Sequence, residues 1–112
     1  MAQPLFDGTT VQVQALAGLI DVVPGGIVSK PLLDVGPLKH VLFAMDAGQE
    51  LTSHRSPMLA TVHVLDGRVR FTVNGIDHDL EAGDWLLMPP DAPHEARADE
   101  PVRFLLTLVR QQ

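Results

Sequence analysis

The chain contains no cysteine. That absence removes a disulfide scaffold, an iron–sulfur cluster, a thiolate zinc site and a thiol nucleophile, so any metal must be held by histidine and oxygen. Cations are scarce too: 8 Lys and Arg stand against 14 Asp and Glu, for a net charge of −6. They are scattered and form no basic stripe, which argues against nucleic acid and anionic membranes as partners. No uninterrupted apolar run approaches the ~18 residues of a membrane-spanning helix. Met1 to Pro4 lack the positive region of a secretory leader, and Asp7 and Asp21 flank the only apolar stretch that follows. The expectation is a soluble cytoplasmic protein.

No linker, low-complexity tract or internal repeat interrupts the 112 residues, which suit one domain. A chain of this length still buries about two-thirds of its unfolded surface, so no staple is required. The 9 glycines and 9 prolines are spread as punctuation, which predicts many short elements. Strand-length apolar runs cover Val41 to Met45, Leu59 to Leu65, Val69 to Val73, Ile76 to Leu80, Trp85 to Met88 and Val102 to Val109. Strands so spaced, with turn signals between them, predict an all-β sandwich or barrel.

The sharpest local signal is Asn74-Gly75, the preferred pair of a two-residue type I′ hairpin. Counting outward from that turn sets Val73 against Ile76, Phe71 against His78 and Val69 against Leu80 on one face. The other face then carries Thr72 against Asp77, Arg70 against Asp79 and Arg68 against Glu81, an ionic surface suited to solvent. The N-terminal third reads differently. Gln14 to Asp21 is expected as a short helix ended by Pro24, Gly25 and Gly26, and Thr9 to Val13 alternates like a strand. An apolar terminal segment with no hairpin partner would cover a sheet edge in its own subunit or in a second one, which favours a homodimer.

Two segments carry a spaced pattern. Gly48, His54 and Gly67 fall on a motif of Gly, five residues, His, one residue, His, three residues, Glu, six residues, Gly. Gly83, Pro89 and His94 fall on a second: Gly, five residues, Pro, one residue, Gly, two residues, His, three residues, Asn. Matching six of ten positions, the chain resembles the cupin superfamily, in particular the small single-domain, RmlC-like members. The resemblance implies a single domain over 1–112: an antiparallel jelly-roll β-barrel of six to eight strands over 39–110, preceded by a strand or helix segment over 1–38. It also implies a ligand site inside the barrel mouth and a dimer.

The family's usual donors are three imidazoles and one carboxylate, suited to manganese, iron, nickel, zinc or copper. Here Ser56 stands at the second histidine position and Ala60 at the glutamate, while Asp91 and Ala98 replace the Gly and Asn of the second motif. Only His54 and His94 remain as metal ligands, so one first-row divalent metal and no metal at all are both open. Strand parity counted from His54 sends His63 outward. His40 has no fixed register, and His78 shares the apolar hairpin face with Phe71. The expected ligand pocket is therefore His54, Ser56, Met58, Phe71, His78 and His94. Ser56 lacks the setting of a nucleophile, and His78 is as readily a satisfied core group.

The function that follows is binding of a small molecule in the barrel, with weak or absent metal dependence. The alternative is a metal-dependent oxygenase or isomerase using His54, His94 and one unrecognised third ligand. Fold alone does not choose between them.

Overall fold

The computed structural model describes residues 3–111. A single 3-10 turn, Leu16–Leu19, precedes nine strands: β1 (Ile27–Val35), β2 (Leu38–Met45), β3 (Glu50–His54), β4 (Leu59–Asp66), β5 (Arg68–Val73), β6 (Ile76–Glu81), β7 (Trp85–Met88), β8 (His94–Arg97) and β9 (Val102–Val109). They form a five-stranded sheet in the order β1-β2-β9-β4-β7 and a four-stranded sheet in the order β3-β8-β5-β6. Every pairing is antiparallel. The architecture is the jelly roll, with nine strands rather than six to eight. No helix among the described residues is long and apolar enough to cross a membrane.

The β5–β6 hairpin follows from its turn. Asn74 and Gly75 both take positive φ, 51° and 78°, as a type I′ turn requires. All six expected pairs form, from Val73 with Ile76 to Arg68 with Glu81. On the solvent face Arg68 meets Glu81 at 2.8 Å, Arg70 meets Asp79 at 3.0 Å, and Thr72 donates to Asp77 at 2.6 Å. Such exposed pairs contribute roughly 0–1 kcal/mol each, so they fix register more than they stabilise.

The inward face of each sheet feeds one core. Met45, Ala60, Val62, Val64, Met88, Val102 and Phe104 come from the five-stranded sheet; Val69, Phe71, Val73, Leu80 and Ala96 come from the other. A second, smaller core lies on the outer face of the five-stranded sheet. There Phe6, Leu16, Leu19, Ile20 and Val22 of the N-terminal segment cover Leu32, Leu42 and Ala44. This explains why β2 reads as an unbroken apolar run: Leu42 and Ala44 are buried beneath the segment while Val41 and Met45 face the barrel.

The N-terminal third departs from expectation in three ways. The helix over Gln14–Asp21 shrinks to the 3-10 turn, whose start has no side-chain cap. Thr9–Val13 joins no sheet: Thr9 and Thr10 lie in a bend and residues 11–13 have no regular structure. Residues 27–35, expected to precede the barrel, form its β1 strand, paired along β2. Leu5 and Phe6 donate their amides to the carbonyls of Pro31 and Leu32, so the segment does cover the β1 edge of its own subunit.

His40, unplaced by sequence, sits on the outer face of β2, its Nδ1 2.9 Å from Thr107 Oγ1. Phe6, Leu32 and Leu33 line the hollow above it. Burial disfavours the imidazolium and lowers its pKa below the ordinary 6.5. The unfolded chain then binds a proton there before the folded one does. His40 withdraws stability as the pH falls from 6.5 through its lowered value, and contributes no slope above 6.5. Melting temperatures measured between neutral and mildly acidic pH should decline, and His40→Gln should flatten that decline. An unchanged slope in the variant would remove His40 as the cause. Asp46, whose carboxylate accepts from the Gly25 and Ala47 amides, has its pKa held below 3.8 and acts only at more acidic pH.

Candidate functional site

β3 ends and β8 begins on the two histidines that carry the site. His54 and His94 are paired across the strands, and the register slips between Leu51 and His54. Three steps on β3, from Leu51 to His54, span two on β8, from Ala96 to His94, so Thr52 and Ser53 form a β-bulge. Without that extra residue, strand alternation would turn Leu51 and His54 to opposite faces. With it, both line the barrel interior.

Each imidazole is oriented by a carbonyl two residues back. His94 Nδ1 lies 2.9 Å from the Ala92 oxygen and His54 Nδ1 lies 3.0 Å from the Thr52 oxygen. A carbonyl only accepts, so both Nδ1 atoms must carry the proton, and in the neutral rings both Nε2 atoms carry a lone pair. The rings meet edge to face with centroids 4.2 Å apart. His94 is buried and His54 stands exposed at the mouth.

Behind them lies a cavity of about 100 Å³. Its lining is mainly apolar, Phe43, Leu51, Phe71, Met88, Ala96, Phe104 and Leu106, with the two histidines and Glu95 as its polar members. Three of these residues form an aromatic wall. Phe43 stacks on Phe104 at 5.1 Å, and Phe71 meets Phe104 edge-on at 5.6 Å. Larger hollows lie on the outer face of the four-stranded sheet, but Glu50, Arg70, Asp77, Glu95 and Arg97 line them and open them to solvent.

Of the six residues expected in the pocket, His54, Phe71 and His94 line this cavity. Ser56, Met58 and His78 are not among its walls. Because β3 stops at His54, residues 55–58 are a turn, and strand parity does not carry Ser56 inward. Ser56 Oγ instead accepts the Met58 amide at 3.1 Å, and its carbonyl accepts the Asp91 amide at 2.8 Å. His78 does face Phe71, but from β6, which is separated from β8 by β5. His63 is exposed between inward-facing Val62 and Val64. Asp91 takes φ of 66°, the left-handed conformation that explains a glycine at this motif position and that aspartate tolerates better than most residues. The wall residues Phe43, Leu51, Met88, Phe104 and Leu106 were not singled out together by sequence, since their convergence depends on sheet packing.

The donor set does not fit a resident metal of the family's usual kind. Two Nε2 lone pairs are available, the second histidine position is a turn serine, and Ala60 at the carboxylate position is a buried wall of the core. Among the described residues no group of three His, Cys, Asp or Glu side chains is placed to hold an ion.

A family model for the cupin domain matches residues 41–108. Among solved structures, a conserved protein of unknown function from Streptococcus pyogenes superposes with a TM-score of 0.86 at 25% identity, covering 98% of this chain and 96% of that one. A cupin 2 conserved barrel domain protein from Leptotrichia buccalis gives a TM-score of 0.80 at 30% identity, over 84% of this chain and 46% of that one. The DMSP lyase DddQ from Ruegeria pomeroyi shares the fold at 24% identity, with a TM-score of 0.69 over 74% of this chain and 46% of that one. No curated protein matches the chain. With the jelly roll, the two motif histidines at its mouth and a family match over more than half its length, the chain belongs to the cupin family.

Proposed function

We propose that the barrel binds a small, largely apolar molecule through a hydrogen-bond-donating head group, without a tightly held metal, as a binding or sensing module. One observation carries this: two backbone-oriented imidazoles present Nε2 acceptors at the end of a largely apolar cavity. Such a site selects a donor, such as a hydroxyl or phenol, at one end and hydrocarbon at the other. A volume near 100 Å³ is on the order of three water molecules, so a fully enclosed ligand has only a few heavy atoms. At a ceiling of about 1.5 kcal/mol per heavy atom, a five-atom ligand gains at most about 7 kcal/mol, a micromolar affinity.

The expected result is therefore thermal stabilisation by short-chain alcohols at millimolar concentration, lost in His94→Ala. Stabilisation that survives both His94→Ala and His54→Ala would place the ligand elsewhere. A second reading rests on the same lone pairs: with water or substrate completing the shell, two imidazoles could serve a metal-dependent oxygenase or isomerase. Reconstitution with manganese, iron, nickel or zinc discriminates. A stoichiometric metal that raises the melting temperature and is lost in either histidine variant supports the second reading and overturns the metal-free one.

A further inference from the structure

A second hollow, of about 180 Å³, lies outside the barrel on the outer face of the five-stranded sheet. His40 of β2 lines it together with Phe6, Leu32 and Leu33, and Thr10 and Gln12 of the N-terminal segment complete the wall. His40 and Thr107 are a cross-strand pair whose 2.9 Å bond occupies Nδ1, so Nε2 is the ring nitrogen available to a ligand. Burial lowers the pKa of this imidazole below 6.5 and keeps it neutral at pH 7. No Asp, Glu, Lys or Arg lines the hollow. Polar groups therefore converge on an apolar recess that carries no charge, the usual composition of a small-molecule site.

The segment beside the hollow is a strap fastened at both ends. Before it, the Leu5 and Phe6 amides donate to the Pro31 and Leu32 carbonyls at 3.0 Å, and Asp7 Oδ1 accepts from the amide and hydroxyl of Thr9 at 3.0 and 2.6 Å. After it, Leu16, Leu19 and Ile20 pack into the second core. Between these anchors, among the described residues, no backbone hydrogen bond joins residues 10–14 to the rest of the chain. Val11 and Val13 are 93% and 92% exposed, while Thr10 and Gln12 line the hollow. A strap that only shielded apolar sheet would turn its valines inward. The reversed order suits a recess that receives a molecule with polar groups. Gln12 Nε2 donates to Thr10 Oγ1 at 3.1 Å, and Gln12 Oε1 accepts from Gln14 Nε2 at 3.0 Å. Thr10 thus keeps its hydroxyl proton, and Gln12 keeps one amide proton and one lone pair.

We propose that this hollow is a second binding site, independent of the barrel, for a small uncharged amide held between the strap and His40. An amide carries a donor and an acceptor side by side, and the Gln12 side chain offers the complementary pair. The Thr10 hydroxyl adds a donor, and His40 Nε2 serves as donor or acceptor according to the direction of its Thr107 bond. A carboxylate or an ammonium would lose water here without meeting an opposite charge. A pure hydrocarbon would leave the Gln12 and Thr10 groups unpaired. Size narrows the class further. A cavity of ~150 Å³ holds benzene, so a hollow of about 180 Å³ suits a single six-membered ring bearing a carbonyl. A lactam such as δ-valerolactam combines that size with one N–H and one C=O.

The test titrates the full chain with δ-valerolactam and follows its amide and imidazole resonances by NMR. Saturable shifts should centre on Thr10, Gln12 and His40, with a dissociation constant on the order of 1–10 mM for a ligand this small. Gln12→Leu keeps the bulk of an exposed side chain and removes its amide. Binding should then weaken about three- to tenfold, the loss of a net hydrogen bond, with the melting temperature unchanged. Cyclohexanone has the same ring without the N–H, and piperidinium has the ring with a charge; both should bind more weakly than the lactam by a similar factor. His94→Ala should leave the lactam titration as it is, which separates this hollow from the barrel. Absence of saturable shifts at Thr10, Gln12 and His40, unaltered affinity in Gln12→Leu, equal affinity for cyclohexanone or piperidinium, or loss of binding in His94→Ala would each overturn the proposal.

Discussion

Gly67→Ala should cost about 3–5 kcal/mol, a large share of the 5–15 kcal/mol that holds a domain together. Gly67 sits where the chain leaves β4 in one sheet and enters β5 in the other, against the start of β9. Its φ is +80°, and an added Cβ would lie 2.0 Å from the Pro101 oxygen and 2.8 Å from the Val102 Cα. Both neighbours are backbone, so neither can rotate away. The dihedral contributes roughly 1–2 kcal/mol, and forced overpacking typically adds 1–3 kcal/mol or more. Gly83 separates the two causes: its φ is +92°, but nothing lies within 4 Å of an added Cβ. Gly83→Ala should therefore lose only the dihedral part. At about 3–6 °C per kcal/mol for a domain of this size, Gly67→Ala should melt some 10 °C or more below wild type, and well below Gly83→Ala. Equal melting temperatures for the two variants would mean that the corner can relax and that close approach is not what requires glycine.

That corner shows which parts of the fold were legible in sequence. Gly67 is found by motif spacing, but its reason, a crossing with Pro101 and Val102, involves residues more than thirty positions away. The β5–β6 hairpin was readable to the last pair because one local turn sets its register. β3 and β8 were not visible as apolar runs: ELTSH and HEAR are short and polar, since one face is solvated and the other carries the site. β1 was hidden for another reason. Lys30 and Pro31 interrupt its apolar pattern, and the strand tolerates them as an edge with a register shift between Pro31 and Leu33.

The site divides in the same way. Spacing found His54 and His94, whereas parity counted past His54 failed for Ser56 because β3 ends there. The bulge at Thr52–Ser53 has no signature in the residues themselves, yet it turns Leu51 and His54 to the same side. The second core was likewise unreadable, because Phe6, Leu16, Leu19 and Ile20 show no regular period; a covering segment needs only to touch the sheet at irregular intervals.

Phe104→Ala is expected to cost about 3–5 kcal/mol and, in the same step, to change what the barrel can hold. Phe104 is 1% exposed and is the common member of both aromatic contacts, stacked on Phe43 and edge-on to Phe71. Such pairs contribute about 0.5–1.5 kcal/mol beyond area burial, so this truncation should cost more than removing the partly exposed Phe43 ring. The ring also forms part of the wall behind His54 and His94, and its loss would extend the cavity of about 100 Å³ into the core. A cavity of roughly 150 Å³ lined by hydrocarbon holds benzene, so benzene should raise the melting temperature of Phe104→Ala and leave the native protein unaffected. If the enlarged space joins the histidine end, phenol should stabilise this variant more than benzene does, because only phenol brings a hydroxyl to the Nε2 acceptors. That difference should vanish when His94→Ala is added. Equal stabilisation by phenol and benzene in Phe104→Ala would show that the aromatic wall closes a core separate from the histidines, and that the pocket ends at the phenyl ring.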